Sequence, residues 1–237
     1  MRHCSAPTQR NAARENDVHR RELLLASIIA TAALAAGCIS VDVGGPGTGA
    51  TMQYRIADQA AAPAPAAKRL DRALLISPTS NGSVDDSLSL AFARTAQGRA
   101  AYQFATWSDR PSQQLSTLLI DRMAARQSFE FVSMLGSGVG AEMQVNLTVV
   151  DFYHDAQTVP GVAWARITVE LVDRTTREQL GRRTFAASAP VATGSGAGAA
   201  AALSVASTAI IDQIVPWLES AAAELPPLEN PPARRPR

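Results

Sequence analysis

The sequence contains few of the residues on which enzymes and metalloproteins depend. Its 237 residues include two cysteines and three histidines, and only His154 lies after position 38. A serine nucleophile would therefore have a single possible histidine base, and no Gly-x-Ser-x-Gly motif is present. The balance of 22 basic and 21 acidic residues also differs from the basic composition typical of nucleic-acid-binding proteins. We predict a protein that is not an enzyme, binds no nucleic acid and uses no metal or cofactor.

Residues 20–38 have the pattern of a bacterial lipoprotein signal peptide. Arg20 and Arg21 precede an apolar run, residues 23–36, which is shorter than the about 20 residues that span a bilayer as a helix. Small residues then lead to Cys38, which resembles the lipobox cysteine, although Ala35 stands where a large aliphatic residue is usual. We predict cleavage before Cys38 and its modification with diacylglyceryl and fatty acyl (palmitate) chains. The alternatives are an ordinary signal peptide with a chance cysteine, or a short membrane anchor.

Composition divides the chain into four regions. Residues 1–37 are predicted to be the signal peptide with an N-terminal extension, and residues 38–69 the lipidated N-terminus and a flexible Gly-, Pro- and Ala-rich tether. Residues 70–223 have the apolar patterning of a single folded domain. Residues 224–237 form a proline-rich tail that we predict to be disordered.

Alternating apolar and polar residues predict a series of strands. They lie at residues 52–56, 73–78, 88–92, 101–106, 129–135, 142–149, 165–171 and 180–187, the last two as an antiparallel hairpin. One helix interrupts the series at about 111–126, and a second follows it at about 199–223. This order predicts an α+β fold in which a mixed or antiparallel sheet carries two helices on one face.

The first helix has a clear start and the second contains a proline. Ser108 or Asp109 could accept hydrogen bonds from the free N–H groups at the start of the first helix, and Pro111 suits its first turn. Its apolar stripe consists of Leu115, Leu118, Leu119 and Met123. In the second helix, Pro216 should cause a kink or an early end.

Three other groups of residues suggest chemistry, but each lacks the expected context. The glycine-rich strings at 136–141 and 194–199 have the spacing of a dinucleotide-binding motif without its βαβ unit, so we interpret both as connectors. Asp151, His154 and Asp155 are interpreted as a solvated strand end instead of a metal site. The Asp85–Asp86 pair is interpreted as a loop without a charged partner.

Three of the few aromatic residues lie close together in the sequence. Tyr102, Phe104 and Trp107 occupy the strand at 101–106 and its exit. One interpretation is that Trp107 packs beneath the helix that follows. The other is that the three residues face a partner or a lipid, because Trp and Tyr are favoured at interface hot spots.

Several segments together resemble the ABC-type transport auxiliary lipoproteins, a family that includes the PqiC-like proteins. They are the lipobox, Tyr-x-Ile at 54–56, Leu-Leu-Ile-Ser-Pro at 74–78, Trp-Ser-Asp-Arg-Pro at 107–111, the strand and hairpin at 165–183, and a terminal helix of small residues. The resemblance covers residues 38–220. The chain departs from the family in its glycine-rich tether, in its proline-rich tail and in having Gln53 where a tyrosine is frequent.

The resemblance implies an accessory role in lipid transport. Such lipoproteins are periplasmic partners of an ABC permease, its ATPase and an MCE-domain (mammalian cell entry) protein. The implied protein is non-catalytic, lies at the periplasmic face of the outer membrane and could form a homo-oligomer on an MCE ring. Ile39 after Cys38, in place of aspartate, favours the outer membrane by the same resemblance. The alternative is an assembly-factor lipoprotein of lipopolysaccharide export or of a secretion or pilus machine.

Overall fold

The computed structural model describes residues 49–226, in which eight strands and two helices follow one another in an α+β order. The strands are β1 (Met52–Tyr54), β2 (Leu70–Thr79), β3 (Ser89–Ala93), β4 (Ala100–Trp107), β5 (Phe129–Met134), β6 (Met143–Asp155), β7 (Val162–Asp173) and β8 (Gln179–Pro190). The helices are α1 (Pro111–Arg126) and α2 (Gly196–Ala223), and a short 3₁₀ helix, Val84–Asp86, precedes β3. The predicted α+β class is confirmed. The signal peptide, Cys38 and the tail after residue 226 lie outside the described residues.

The sheet is organised around β6, which is 13 residues long. Along one edge, residues 143–148 pair in parallel with β2 and residues 153–155 pair in parallel with β3. Along the other edge β6 is antiparallel to β7, which is antiparallel to β8. β5 continues the sheet beyond β2, and β4 and β1 continue it beyond β3. The sheet is therefore open, and it is mixed, which is one of the two predicted arrangements.

The two faces of the sheet differ in character because side chains alternate along each strand. One face, which we call the inner face, carries Val145, Leu147, Val149 and Phe152 of β6, all 0% exposed. Both helices pack on this face and share its apolar core. The other, outer face carries half-buried and exposed polar residues of β6, β7 and β8.

The start of α1 is capped from outside the helix. Neither Ser108 nor Asp109 caps it, since the residue before the helix is Arg110, which makes no capping hydrogen bond. Instead the carboxylate of Asp86 accepts hydrogen bonds from the N–H (2.8 Å) and the hydroxyl (2.9 Å) of Ser112. The interpretation of Asp86 as a partnerless loop residue is therefore wrong. The 3₁₀ helix brings this buried carboxylate to a helix end whose free N–H groups favour a negative charge.

The helix α2 starts about three residues earlier than predicted and ends at the predicted residue, Ala223. It continues past Pro216 to Ala223, so an early end at the proline is wrong; Pro216 is solvent-exposed while Ile214, Val215 and Leu218 around it are buried. The helix is long and apolar enough to cross a membrane, but 67% of its most apolar stretch is buried in the fold. It therefore serves as the core helix of this domain.

The glycine-rich string at residues 194–199 forms the start of α2. A side chain would not fit at two of its glycines. A Cβ at Gly196 would lie 2.5 Å from the Cβ of Ala105, and one at Gly198 would lie 2.2 Å from the carbonyl oxygen of Thr193. The hydroxyl of Ser195 accepts a hydrogen bond from the N–H of Gly198 at 3.2 Å and caps the helix. The glycines therefore serve packing and not a flexible connection.

Residues 55–66, which we call the strap, lie against both helices. The N–H of Ile56 donates to Gln114 of α1 at 2.8 Å, and the N–H of Gln59 donates to the hydroxyl of Thr208 of α2 at 2.9 Å. Ile56 itself is 6% exposed, and β1 immediately before it pairs with β4. The folded part therefore begins at β1, although the sequence predicts a flexible tether up to residue 69.

One arginine connects the strap to the two helices. Arg122 of α1 is 7% exposed, and its Nε donates to Asp58 of the strap at 2.9 Å while its Nη1 donates to Asp212 of α2. Burial alone would raise the pKa of Asp58, but the hydrogen bond and charge of Arg122 and the N–H of Ala60 lower it below its usual value of 3.8. The folded state therefore favours the ionised form of Asp58.

The packing of Trp107 gives a first prediction. Its side chain is 1% exposed and its ring lies 5.5 Å from that of Phe152, in the core that includes Leu115, Leu119 and Met123 of α1. Trp107→Ala should lower the free energy of unfolding by about 3–5 kcal/mol, measured by urea denaturation. Trp164→Ala, at a residue that is 42% exposed, is the control and should cost less than about 1 kcal/mol. A Trp107→Ala variant that unfolds like the wild type would contradict the packing role.

The ion pairs of Asp58 give a second prediction, on pH dependence. Because its pKa is lower in the folded state, its contribution to stability is present above about pH 4 and is lost as the pH falls through the folded value. Asp58→Asn should lower the free energy of unfolding by about 2 kcal/mol at neutral pH and reduce its decline in acid. Asp121→Asn, at an exposed position of α1, is the control. Parallel acid profiles for the wild type and Asp58→Asn would contradict this assignment.

Candidate functional site

The three aromatic residues suggested by the sequence do not form one surface. Trp107 is buried in the core, so a partner-facing role is wrong for this residue. Phe104 is 40% exposed and Tyr102 is half-buried. The sequence could not separate them because the pairing of β3 with β4 shifts its register between Ser89 and Ala91, which disturbs simple alternation along β4.

Tyr102 belongs to a polar chain that ends at a buried histidine. Its hydroxyl lies 2.6 Å from Nδ1 of His154, and Nε2 of His154 lies 2.8 Å from the carbonyl oxygen of Pro160. A carbonyl only accepts, so Nε2 carries a hydrogen, and in the tautomer with its hydrogen at Nε2 the Nδ1 atom accepts from the hydroxyl of Tyr102. His154 is 1% exposed, so its interpretation as a solvated strand end is wrong: β6 continues through it to Asp155.

The outer face of the sheet presents an aromatic and cationic cluster. Tyr153 of β6 and Trp164 of β7 are directly opposite in the strand register, and Trp164 is 42% exposed. The guanidinium of Arg99 lies 3.6 Å from the centre of the Tyr153 ring, and Arg166 lies 2.6 Å from Asp151 beside them. We call Arg99, Tyr153, Trp164 and Arg166 the outer patch.

Carboxylates hold the outer patch in place. Asp85 lies 3.2 Å from Arg99 and Asp151 lies 3.6 Å from it, so the guanidinium is fixed over the tyrosine ring from two sides. Burial raises the pKa of Asp85, the charge and hydrogen bond of Arg99 and a backbone hydrogen bond from Phe152 lower it, and the result is a pKa above its usual value. The interpretation of Asp85 as a residue without a charged partner is wrong, since the pairing acts across 14 residues of sequence.

The described residues were compared with the requirements of metal sites and serine nucleophiles. Within residues 49–226, no group of three or more His, Cys, Asp or Glu side chains is placed to hold a metal ion. Both ring nitrogens of His154 are engaged, by Tyr102 and by the Pro160 carbonyl, so neither is directed at a serine. Among the features that the fold offers to other molecules are the outer patch on one face and a cavity beside Tyr102 on the other.

Comparison with protein families assigns the chain. The sequence profile of the ABC-type transport auxiliary lipoprotein component family matches residues 54–215, from the end of β1 to the last turns of α2. The chain belongs to this family. Its members are accessory lipoproteins of ABC-type transport and not a family of enzymes. No curated protein is significantly similar to the chain in sequence.

Solved structures of other proteins have a fold similar to that of this auxiliary lipoprotein. A Xanthomonas campestris protein of the DUF330 family is 19% identical, with a TM-score of 0.61 over 68% of this chain and 92% of that one. An uncharacterised protein is 11% identical, with a TM-score of 0.55 over 71% of this chain and 99% of that one. Both matches cover nearly all of the solved chain, so the fold described here accounts for nearly the whole of each of these structures.

The outer patch contains a residue that sequence reasoning missed. Trp164 is in phase with Arg166 and Thr168, which face the outer side, whereas Ala165 and Ile167 face the core. The sequence of this strand shows the alternation of outer and core residues, but the predicted strand, residues 165–171, does not include Trp164. Extending the same pattern by one residue would have placed Trp164 on the outer face.

Proposed function

We propose that this auxiliary lipoprotein is anchored through Cys38 at the periplasmic face of the outer membrane and docks onto an MCE-domain protein of an ABC-type lipid transporter. The family match supports an accessory role in ABC transport. The MCE partner and the outer-membrane location come from the resemblance noted in the sequence. Residues 39–51 between the anchor and β1 could reach at most about 45 Å when fully extended.

The observation that carries the proposal is the outer patch. Trp, Tyr and Arg are the residue types that dominate interface hot spots. Here the carboxylates of Asp85 and Asp151 and the stacking on Tyr153 already hold Arg99 in place. Because little side-chain freedom remains to be lost on binding, a partner would gain most of the contact energy of this surface.

The charges of the outer face favour an acidic partner. In the Arg166–Asp151 pair the arginine is 51% exposed and the aspartate 26%, and in the Arg182–Glu170 pair the arginine is 62% exposed and the glutamate 31%. Positive groups therefore extend furthest into solvent on β7 and β8. Opposite charge on a partner would steer the encounter and fix its orientation. The open sheet edges also allow several copies to associate on a ring, the homo-oligomer expected from the resemblance.

A co-purification experiment tests the docking proposal. Tagged full-length lipoprotein extracted from its native membranes should recover an MCE-domain protein. Trp164→Ala should reduce the recovery strongly, because it removes the largest exposed side chain of the outer patch, whereas Phe104→Ala, at a residue of nearly equal exposure, should not. Loss with Phe104→Ala alone would assign the interface to β4. Recovery of a lipopolysaccharide-export or pilus component without any MCE protein would favour the alternative machine.

The lipid anchor is tested separately. Cys38→Ser should release the protein from the membrane fraction, because several acyl chains at about 0.8 kcal/mol per buried CH₂ maintain stable attachment. Cys4→Ser changes the other cysteine of the chain and is the matched control, which should remain membrane-bound. Fractionation of inner and outer membranes and the mass of the N-terminal peptide give the readout. A mature N-terminus upstream of Cys38 without acyl mass would contradict the anchor.

A further inference from the structure

A cavity of about 310 Å³ opens at the end of the inner face where α2 begins. It lies between the ends of β3, β4 and β6, the loop at residues 156–161, and Gly194 before α2. Its volume is at the lower end of the range of small-molecule sites. The docking role of the outer patch does not involve it, because the cavity lies on the opposite face of the sheet.

The walls of the cavity are largely apolar. The rings of Phe92 and Tyr102 lie 4.9 Å apart between centroids and form one side. Val159 and Pro160 form the other side, and Val159 is 86% exposed at the rim. Since the hydroxyl hydrogen of Tyr102 is directed at His154, the tyrosine presents its ring and not a hydrogen-bond donor to a ligand.

The charge of the cavity is positive. Arg94 is the one arginine or lysine of its lining, and no acidic side chain lines it. Among the salt bridges of residues 49–226 none includes Arg94, whose guanidinium lies at 5.4 Å from the centre of the Phe92 ring. Burial raises the pKa of Tyr102 above its usual value, although the charge of Arg94 opposes the shift. Arg94 is solvent-exposed and so stands at the mouth.

We propose that this cavity binds the end of a single-chain anionic amphiphile. The apolar chain would pack against Phe92, Tyr102 and Val159, and the carboxylate or phosphate would pair with Arg94 at the mouth. An uncharged chain would form no ion pair with Arg94, and an anion without a chain would leave the apolar walls exposed to water. The shared chemistry is an anionic head on an alkyl chain, which a fatty acid or a lysophospholipid could supply.

The proposal can be tested with defined ligands on residues 50–237, which include every strand and helix of the described residues. Decanoate, decyl phosphate and decanol would be titrated below their aggregation concentrations by isothermal calorimetry. At least one anion should bind, and decanol about tenfold more weakly or not at all. Preference for decanoate would identify a fatty acid as the source, and preference for decyl phosphate a lysophospholipid; either supports the site.

Matched variants assign the binding to this cavity. Arg94→Gln should weaken binding of the anion about tenfold, whereas Arg183→Gln should not, although Arg183 likewise stands over a phenylalanine, 5.1 Å from the Phe185 ring. Ala156→Leu should fill the cavity and abolish binding, with thermal melting to show that each variant is folded. Equal affinity for decanol and the anions, or an Arg94→Gln variant that binds like the wild type, would overturn the proposal.

Discussion

The strand β6 is the constraint on which both candidate sites depend. It pairs with β2 and β3 along one edge and with β7 along the other, so it fixes the register of the sheet on both sides. Its inner residues Val145, Leu147, Val149 and Phe152 form the floor under the helices. A register shift between Val149 and Asp151 lies where pairing with β2 ends and pairing with β3 begins. The extra residue there allows one strand to serve two partners.

Two consecutive residues at the end of β6 point to opposite faces of the sheet. Tyr153 lies in the outer patch, where the guanidinium of Arg99 stacks on its ring. His154 lines the inner cavity, where its Nδ1 is hydrogen-bonded to the hydroxyl of Tyr102. After the register shift the side chains of β6 alternate again between the two faces, so a slip by one residue would exchange Tyr153 and His154 and destroy both sites. The long pairing with β7, from Met143 to Asp155, therefore protects the sites as well as the core.

The parts of the fold that the sequence predicted are those that depend on local periodicity. The alternation in 142–149 and 165–171 and the apolar stripe of α1 each encode one buried face within a few residues. The parts it did not predict depend on distant contacts: Asp86 caps Ser112 across 26 residues, and His154 binds Tyr102 across 52. No local pattern records such pairs. For the same reason the sequence identified Trp107 as a candidate but could not decide between core and surface.

The strap shows why the buried charge of Arg122 and its two carboxylate partners occur at the start of the domain. β1 has three residues and one neighbouring strand, β4, which is too little pairing to hold the start of the domain by itself. Asp58 follows β1 by four residues, and Arg122 joins it to α1 and to Asp212 of α2. Any load applied to the chain before β1 must therefore break a short edge strand, the packing of Ile56 and the ion pairs of Arg122 before it reaches β2. An apolar contact at this place would bury the strap equally well, but it would not fix the direction of the chain, whereas the paired hydrogen bonds of a guanidinium do.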